Sequence, residues 1–198
     1  HPVQVCTEAN TATHAADYEG SPRRRPFTRE ELQALFDHAD AQVGKAVTDG
    51  RKGAVAAFRD AVALKVVYAW GLRRREAVML DLTDWHPNPA ARQLGRFGAL
   101  HVRYGKAMRG SPPRRRTVLS VFPWAVEAVN QYLDSVRPLL AGPKDPAMWP
   151  TERGSRLSGR ALNDRLAVYR TALGLGEELD LHALRHSYVT HLIEDGFP

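Results

Sequence analysis

Near its C-terminus the chain reads Leu181-His182-Ala183-Leu184-Arg185-His186-Ser187-Tyr188-Val189-Thr190-His191-Leu192. His182 and Arg185 stand three residues apart, so on a helix they project as neighbours. An imidazole moves a proton near neutral pH, and a guanidinium holds an anionic oxygen in a planar fork; together they suit chemistry at a phosphate. Arg73, Arg74 and Arg75 form a second group, with Glu76 three residues after Arg73. Like charges crowded near a positive helix end oppose stability. A rigidly mounted arginine there makes a phosphate clamp, while an exposed basic corner with Glu76 as surface partner is the plainer alternative. The third is Lys106, opening Gly105-Lys106-Ala107-Met108-Arg109-Gly110-Ser111-Pro112-Pro113-Arg114-Arg115-Arg116. A lysine at a strand end, its pKa lowered by neighbouring positive charge, is a candidate general acid; a solvated hairpin lysine is the alternative. A metal reading fails on placement. His182 and His186 share a helix face but His191 falls on roughly the opposite side, and Cys6 with His14 supplies only two of the ligands a site needs.

These groups need elements to hold them. Leu181, Leu184, Tyr188 and Leu192 form a helical stripe under the His182–Arg185 pair. Ala54 to Trp70 is apolar nearly all round, which predicts a central buried helix ending at Gly71, with the arginines opening a short helix directly after it. Leu100, Val102 and Tyr104 alternate with His101 and Arg103, the pattern of a half-buried strand, and Thr117–Val121 reads as its partner. Thr28-Arg29-Glu30-Glu31 is a capping box with Phe27 and Leu32 as a hydrophobic staple; a helix follows through Leu35, Phe36 and Ala39, and Gly44 to Gly53 reads as a loop. Pro123 opens a helix through Val136 that Pro138 stops, and Ser158 caps one carrying Leu162, Leu166 and Tyr169 that ends at Gly174. Residues 1–26 lack apolar periodicity and end in Ser-Pro-Arg-Arg-Arg-Pro, the composition of a linker or arm.

The 198 residues suffice for one good core. A net charge of +6 and a pI near 9.8 favour a polyanionic partner, nucleic acid ahead of an acidic membrane. The single cysteine, Cys6, excludes an internal disulfide framework. No apolar run is long enough to span a bilayer and no signal peptide is visible, so the chain reads as intracellular.

In order, Gly71-Leu72-Arg73 with Glu76, the strand–Gly105-Lys106–hairpin–strand, and His182-Ala183-Leu184-Arg185-His186 resemble the catalytic domain of the tyrosine recombinases, the phage-integrase family, from about Phe27 to Gly196. The resemblance implies an α+β fold, mostly α-helical, with a small antiparallel β-sheet at one edge carrying the Lys106 hairpin. It implies that Arg73 and Arg185 bind the scissile phosphate, that Lys106 protonates the departing 5′ oxygen, that His182 assists proton transfer and that Glu76 buttresses the arginines. Arg103, Arg109, Arg114, Arg115 and Arg116 would contact DNA. The implied reaction is site-specific recombination through a 3′-phosphotyrosine, with no metal or cofactor, on double-stranded DNA in a tetrameric synapse in the cytoplasm. The family's last box, Leu-Gly-His and a helix bearing the nucleophile, has no counterpart, and Tyr188 falls on the apolar stripe where core packing accounts for it. The expected organisation is therefore an arm, 1–26, from a missing N-terminal DNA-binding domain, and a catalytic domain, 27–198, truncated before its nucleophile. A non-catalytic DNA-binding module and a type IB topoisomerase relative are the alternatives.

Overall fold

The computed structural model describes residues 25–50, 53–105 and 112–197. Helix α1 (Arg29–Thr48) begins at the predicted box: the Thr28 hydroxyl accepts from the Glu31 N–H at 3.2 Å, and the Glu31 carboxylate accepts from the Thr28 N–H at 2.9 Å. Phe27 and Leu32 are buried beside it. The helix runs through Gly44 to Thr48, where the sequence predicts a loop. One glycine costs a helix about 1 kcal/mol, and an established hydrogen-bond ladder carries past it; the turn comes at Asp49 and Gly50, the latter with φ of +60°.

Helix α2 (Ala54–Ala69) is the predicted centre, with Leu64, Val66 and Val67 fully buried. It ends at Trp70 and Gly71. Gly71 has φ of +55°, and the Leu72 N–H reaches back to the Val67 carbonyl at 2.9 Å, the Schellman closure that glycine permits. Helix α3 (Arg74–Val78) follows at once, so its first turn is mounted on the most buried element.

The sheet is antiparallel, in the order β1 (Trp85–His86), β2 (Ala99–Val102), β3 (Arg116–Leu119). Ala99 faces Leu119 and Val102 faces Arg116. Strand β2 stops two residues short of the expected Tyr104, and β3 starts one residue before the expected Thr117. Two-residue β1 and the broken 3-10 stretch Pro89–Phe97 are too short or irregular to show a period. The Gly105 N–H donates to the Arg114 carbonyl at 3.0 Å and closes the hairpin base.

Helix α4 (Pro123–Gln131) widens into a π-turn over Tyr132–Val136 and resumes as α5 (Arg137–Leu140). Pro138 therefore does not end the helix. It lacks an N–H and crowds the carbonyl four residues back, and the widened turn ahead of it supplies the room. Helix α6 (Gly159–Ala172) is capped by Ser158, whose hydroxyl accepts from Ala161 N–H at 3.1 Å, and Gly174 at φ of +67° follows its end. Helix α7 (Leu181–Glu194) starts at Asp180, whose Oδ1 accepts from the N–H groups of His182 and Ala183 at 2.8 and 3.0 Å.

The chain enters the domain against α7. The Phe27 N–H donates to Ser187 Oγ at 2.8 Å, and His191 Nε2 donates to the Phe27 carbonyl at 3.1 Å. That fixes the His191 tautomer, so its Nδ1 accepts from the Tyr68 hydroxyl at 3.0 Å. Arg25 is a bidentate partner of Glu31 at 2.6 and 2.7 Å, but the rest of the predicted arm, 1–24, lies outside the described residues. No helix among the described residues is long and apolar enough to cross a membrane.

Leu64 has no exposed surface and sits at the centre of the core. Leu64→Ala should cost about 2–5 kcal/mol in urea unfolding, against about 1 kcal/mol for removing the α1 cap with Thr28→Ala. Equal costs for the two would contradict a core organised around α2.

Candidate functional site

The site is built on one buried carboxylate. The Glu76 side chain has no solvent exposure. Its Oε2 accepts from the Arg73 backbone N–H at 2.9 Å and from Arg116 Nη2 at 3.0 Å; its Oε1 accepts from Arg73 Nη1 at 3.2 Å and Arg116 Nη1 at 3.1 Å. Those bonds fill the four acceptor positions of a carboxylate. They cap α3 and fix two guanidiniums that arrive from a helix cap and a strand end.

A single carbonyl gathers the next arginine. Gly71 O accepts from Arg116 Nη2 at 3.2 Å and also from Arg185 Nη1 on α7. Gly71 is required here twice over, for its left-handed backbone and because a Cβ would lie 2.4 Å from the Tyr188 ring. Arg73, Arg116 and Arg185 thus meet around Glu76 and Gly71, from three separated segments.

Arg73 and Arg116 share one carboxylate, so that pair carries more positive charge than Glu76 balances. Arg73 Nε is buried and has no hydrogen-bond partner among the described residues, a donor left over beside the cluster. Burial pulls Arg116 below the usual guanidinium range, against the pull of Glu76, with Arg73 adding to the lowering. The Arg73 and Arg116 side chains nevertheless keep 28% and 31% of their surface exposed, so an anion can reach them. Fixed cations with one open side and a spare donor are suited to an anionic oxygen that gains charge during a reaction.

His182 lies half-exposed on the first turn of α7, one turn before Arg185. Lys106 and Arg109 lie outside the described residues. The hairpin base that leads to Lys106 is tight: a Cβ on Gly105 would lie 2.4 Å from the Arg114 carbonyl. Arg114 and Arg115 stand exposed on the returning arm.

Arg103 is engaged by carboxylates of the protein itself, with about a third of its side chain still exposed at 32%. Its Nη2 and Nε donate to Asp84 and Asp81, and Arg156 closes the network with Nη2 on Asp81 and Nη1 on the Leu80 carbonyl. Burial raises the Asp81 carboxyl, but hydrogen bonds from Arg156 and Arg103 outweigh it and hold the group below the usual carboxylate value. Tyr188 packs edge-on against Phe122; burial pushes its phenol above the usual range, with Arg116 and Arg185 pulling the other way.

Two participants escape a reading of the chain alone. Arg116, one of several expected DNA contacts, belongs to the arginine cluster. Strand parity carries the signal: Arg116, Val118 and Ser120 share the less exposed face of β3, whereas Thr117 and Leu119 point out. The Gly71 carbonyl has no side chain to announce it.

The model of the phage integrase family matches residues 25–198. Tyrosine recombinase XerC of Chromohalobacter salexigens is 34% identical over 153 residues, covering 77% of this chain and 45% of that protein. Tyrosine recombinase XerC of Actinobacillus succinogenes is 35% identical over 153 residues, 77% of this chain and 46% of that protein. Among solved structures, the XerH site-specific recombinase bound to palindromic difH substrate in a post-cleavage complex matches with a TM-score of 0.62 at 20% identity, over 87% of this chain and 43% of that one. XerA recombinase matches with a TM-score of 0.62 at 19% identity, over 87% of this chain and 52% of that one. These structural likenesses establish the fold. The chain spans about half the length of the curated relatives it matches.

Glu76→Gln keeps the shape of the side chain and removes its charge. It should destabilise the domain by about 3 kcal/mol in denaturant unfolding, the lower end for a broken buried pair because the arginines are partly solvated; a neutral outcome would show that the arginines hold their places without it. Asp81, with its depressed folded value, contributes stability that is present above the unfolded value of about 3.9 and lost as pH falls through the folded one. Asp81→Asn should therefore flatten the fall in stability measured below about pH 4, and an unchanged acid limb would exclude that role.

Proposed function

The chain belongs to the phage integrase family, and from that premise we propose that it grips the scissile phosphodiester of double-stranded DNA in a tyrosine site-specific recombinase. The observation that carries the reading is the meeting of Arg73, Arg116 and Arg185 around Glu76 and Gly71. In the proposed reaction a tyrosine oxygen attacks phosphorus, a 3′-phosphotyrosine forms, and the bond to the 5′ oxygen breaks with that oxygen taking a proton. A hydroxyl of another strand then reverses the step and releases the tyrosine. Negative charge builds on the non-bridging oxygens at each transfer, and guanidiniums already fixed in place stabilise it without reorganising.

Arg73 and Arg185 take the phosphate oxygens, held to the scaffold by Glu76 and by the Gly71 carbonyl, the two acceptors that Arg116 also shares. His182, one turn from Arg185, passes the nucleophile's proton. Lys106, the residue that follows Gly105 in the chain, protonates the departing 5′ oxygen. Residues 27–198 act as the catalytic domain and 1–26 as the arm that leads into it. On DNA the protein works in a tetrameric synapse, in the cytoplasm.

Binding of this chain to a DNA duplex, followed by fluorescence anisotropy, should weaken steeply with salt as phosphate contacts release counterions. Arg185→Ala should lower the slope of log affinity against log salt by about 1. In the full-length gene product, a nicked substrate should trap a covalent protein–DNA adduct that Arg73→Ala or Arg185→Ala abolishes. A flat salt titration, or an adduct that survives both substitutions, would overturn the assignment.

A further inference from the structure

A second polar feature adjoins the arginine cluster and has no part in the chemistry above. The solvent side of the sheet carries a groove of about 600 Å3, lined by Thr83, Asp84, His86, His101, Arg103, Arg115 and Arg116 among others. Its centre is a pair of histidines on neighbouring strands. His86 on β1 pairs with Ala99 and His101 on β2 pairs with Thr117, so the two imidazoles are diagonal neighbours across the ladder. Their ring centroids lie 4.0 Å apart with 36° between the planes.

The groove's charge balance favours an anion. From the 3-10 turn Leu82–Asp84 comes Asp84, the one acidic side chain among the described residues lining the groove, and both its oxygens are taken up by Arg103 and the Asp81 N–H. Strand β2 supplies His101 and Arg103, and the β3 arm supplies Arg115 and Arg116. The Pro89–Phe97 stretch packed on β1 brings Arg92 and Arg96, neither of which lines the groove. Arg116 is among the residues lining this groove and also bonds Glu76, which sets the groove beside the arginine cluster.

We propose that His86 and His101 form a proton-dependent seat for a DNA phosphate neighbouring the scissile one. Imidazole gains its charge between about pH 5 and pH 8. Two imidazoles 4.0 Å apart repel each other once both are protonated. A phosphate against both removes that penalty, so binding takes up protons and proton uptake strengthens binding. Neutral, the pair offers the backbone little; charged, it adds to the grip of Arg115 and Arg116.

This inference rests on the proposed reading as a DNA-binding recombinase domain. The test is the affinity of the whole chain for a duplex oligonucleotide from pH 8.0 to pH 5.5 at constant ionic strength, with circular dichroism confirming the fold at each pH. Wild-type affinity should rise about tenfold across that range, the equivalent of one pKa unit of coupling. The double variant His86→Asn/His101→Asn should lose most of the rise. The single variant His101→Asn, at an exposed strand position, should lose part of it and keeps the test valid if the double variant does not fold. His38→Asn, packed against Tyr169 and not among the residues lining the groove, should keep the wild-type slope. Binding without pH dependence, or a slope that survives in the histidine variants, overturns the phosphate seat and leaves the recombinase reading standing. No DNA binding at any pH overturns both.

Discussion

Everything in the site depends on one buried charge being satisfied. Glu76 is removed from water, and a lone carboxylate there would be prohibitively unfavourable. Its four hydrogen bonds to Arg73 and Arg116 make it tolerable, and in doing so they fix where both guanidiniums lie. A buried ion pair is weak evidence for stability but good evidence for position, because each partner has a single place to go. The order is unusual for a surface corner and natural for a site: the carboxylate is the buried member and the cations face outward.

Position also comes from what the arginines are attached to. Arg73 caps a short helix that begins three residues after Gly71, which closes the largely buried α2; Arg116 opens a strand, and Arg185 rides a helix whose first turn is capped by Asp180. The left-handed Gly71 sits where α2 stops, and its carbonyl receives two of the three. A substitution at Gly71 would collide with Tyr188, so the same residue that terminates the core helix sets the spacing between α7 and the cluster.

Much of this was legible in the sequence. The capping box at Thr28, the largely apolar run of α2, the arginine triplet beside Glu76 and the Leu181–Leu192 helix each carry a local signal tied to hydrogen-bond or burial requirements, and each appears where the spacing puts it. What the sequence concealed is long-range. Arg103 and Arg116 flank the same hairpin and look alike in a charge count, yet one is claimed by Asp81 and Asp84 and the other by Glu76. Only the register of β2 on β3, with Val102 opposite Arg116, decides between them. The helix past Gly44 and the π-turn before Pro138 were hidden for a different reason. Both are places where an existing helix absorbs a residue that would not start one.

The seat of Phe27 has a mechanical consequence. Both backbone polar groups of that one residue are held by α7, through Ser187 and His191, and Ser187 stands two residues from Arg185. A shift of the chain at Phe27 would therefore act directly on the helix that carries Arg185. The entering chain and the helix that bears Arg185 are thereby joined through two hydrogen bonds.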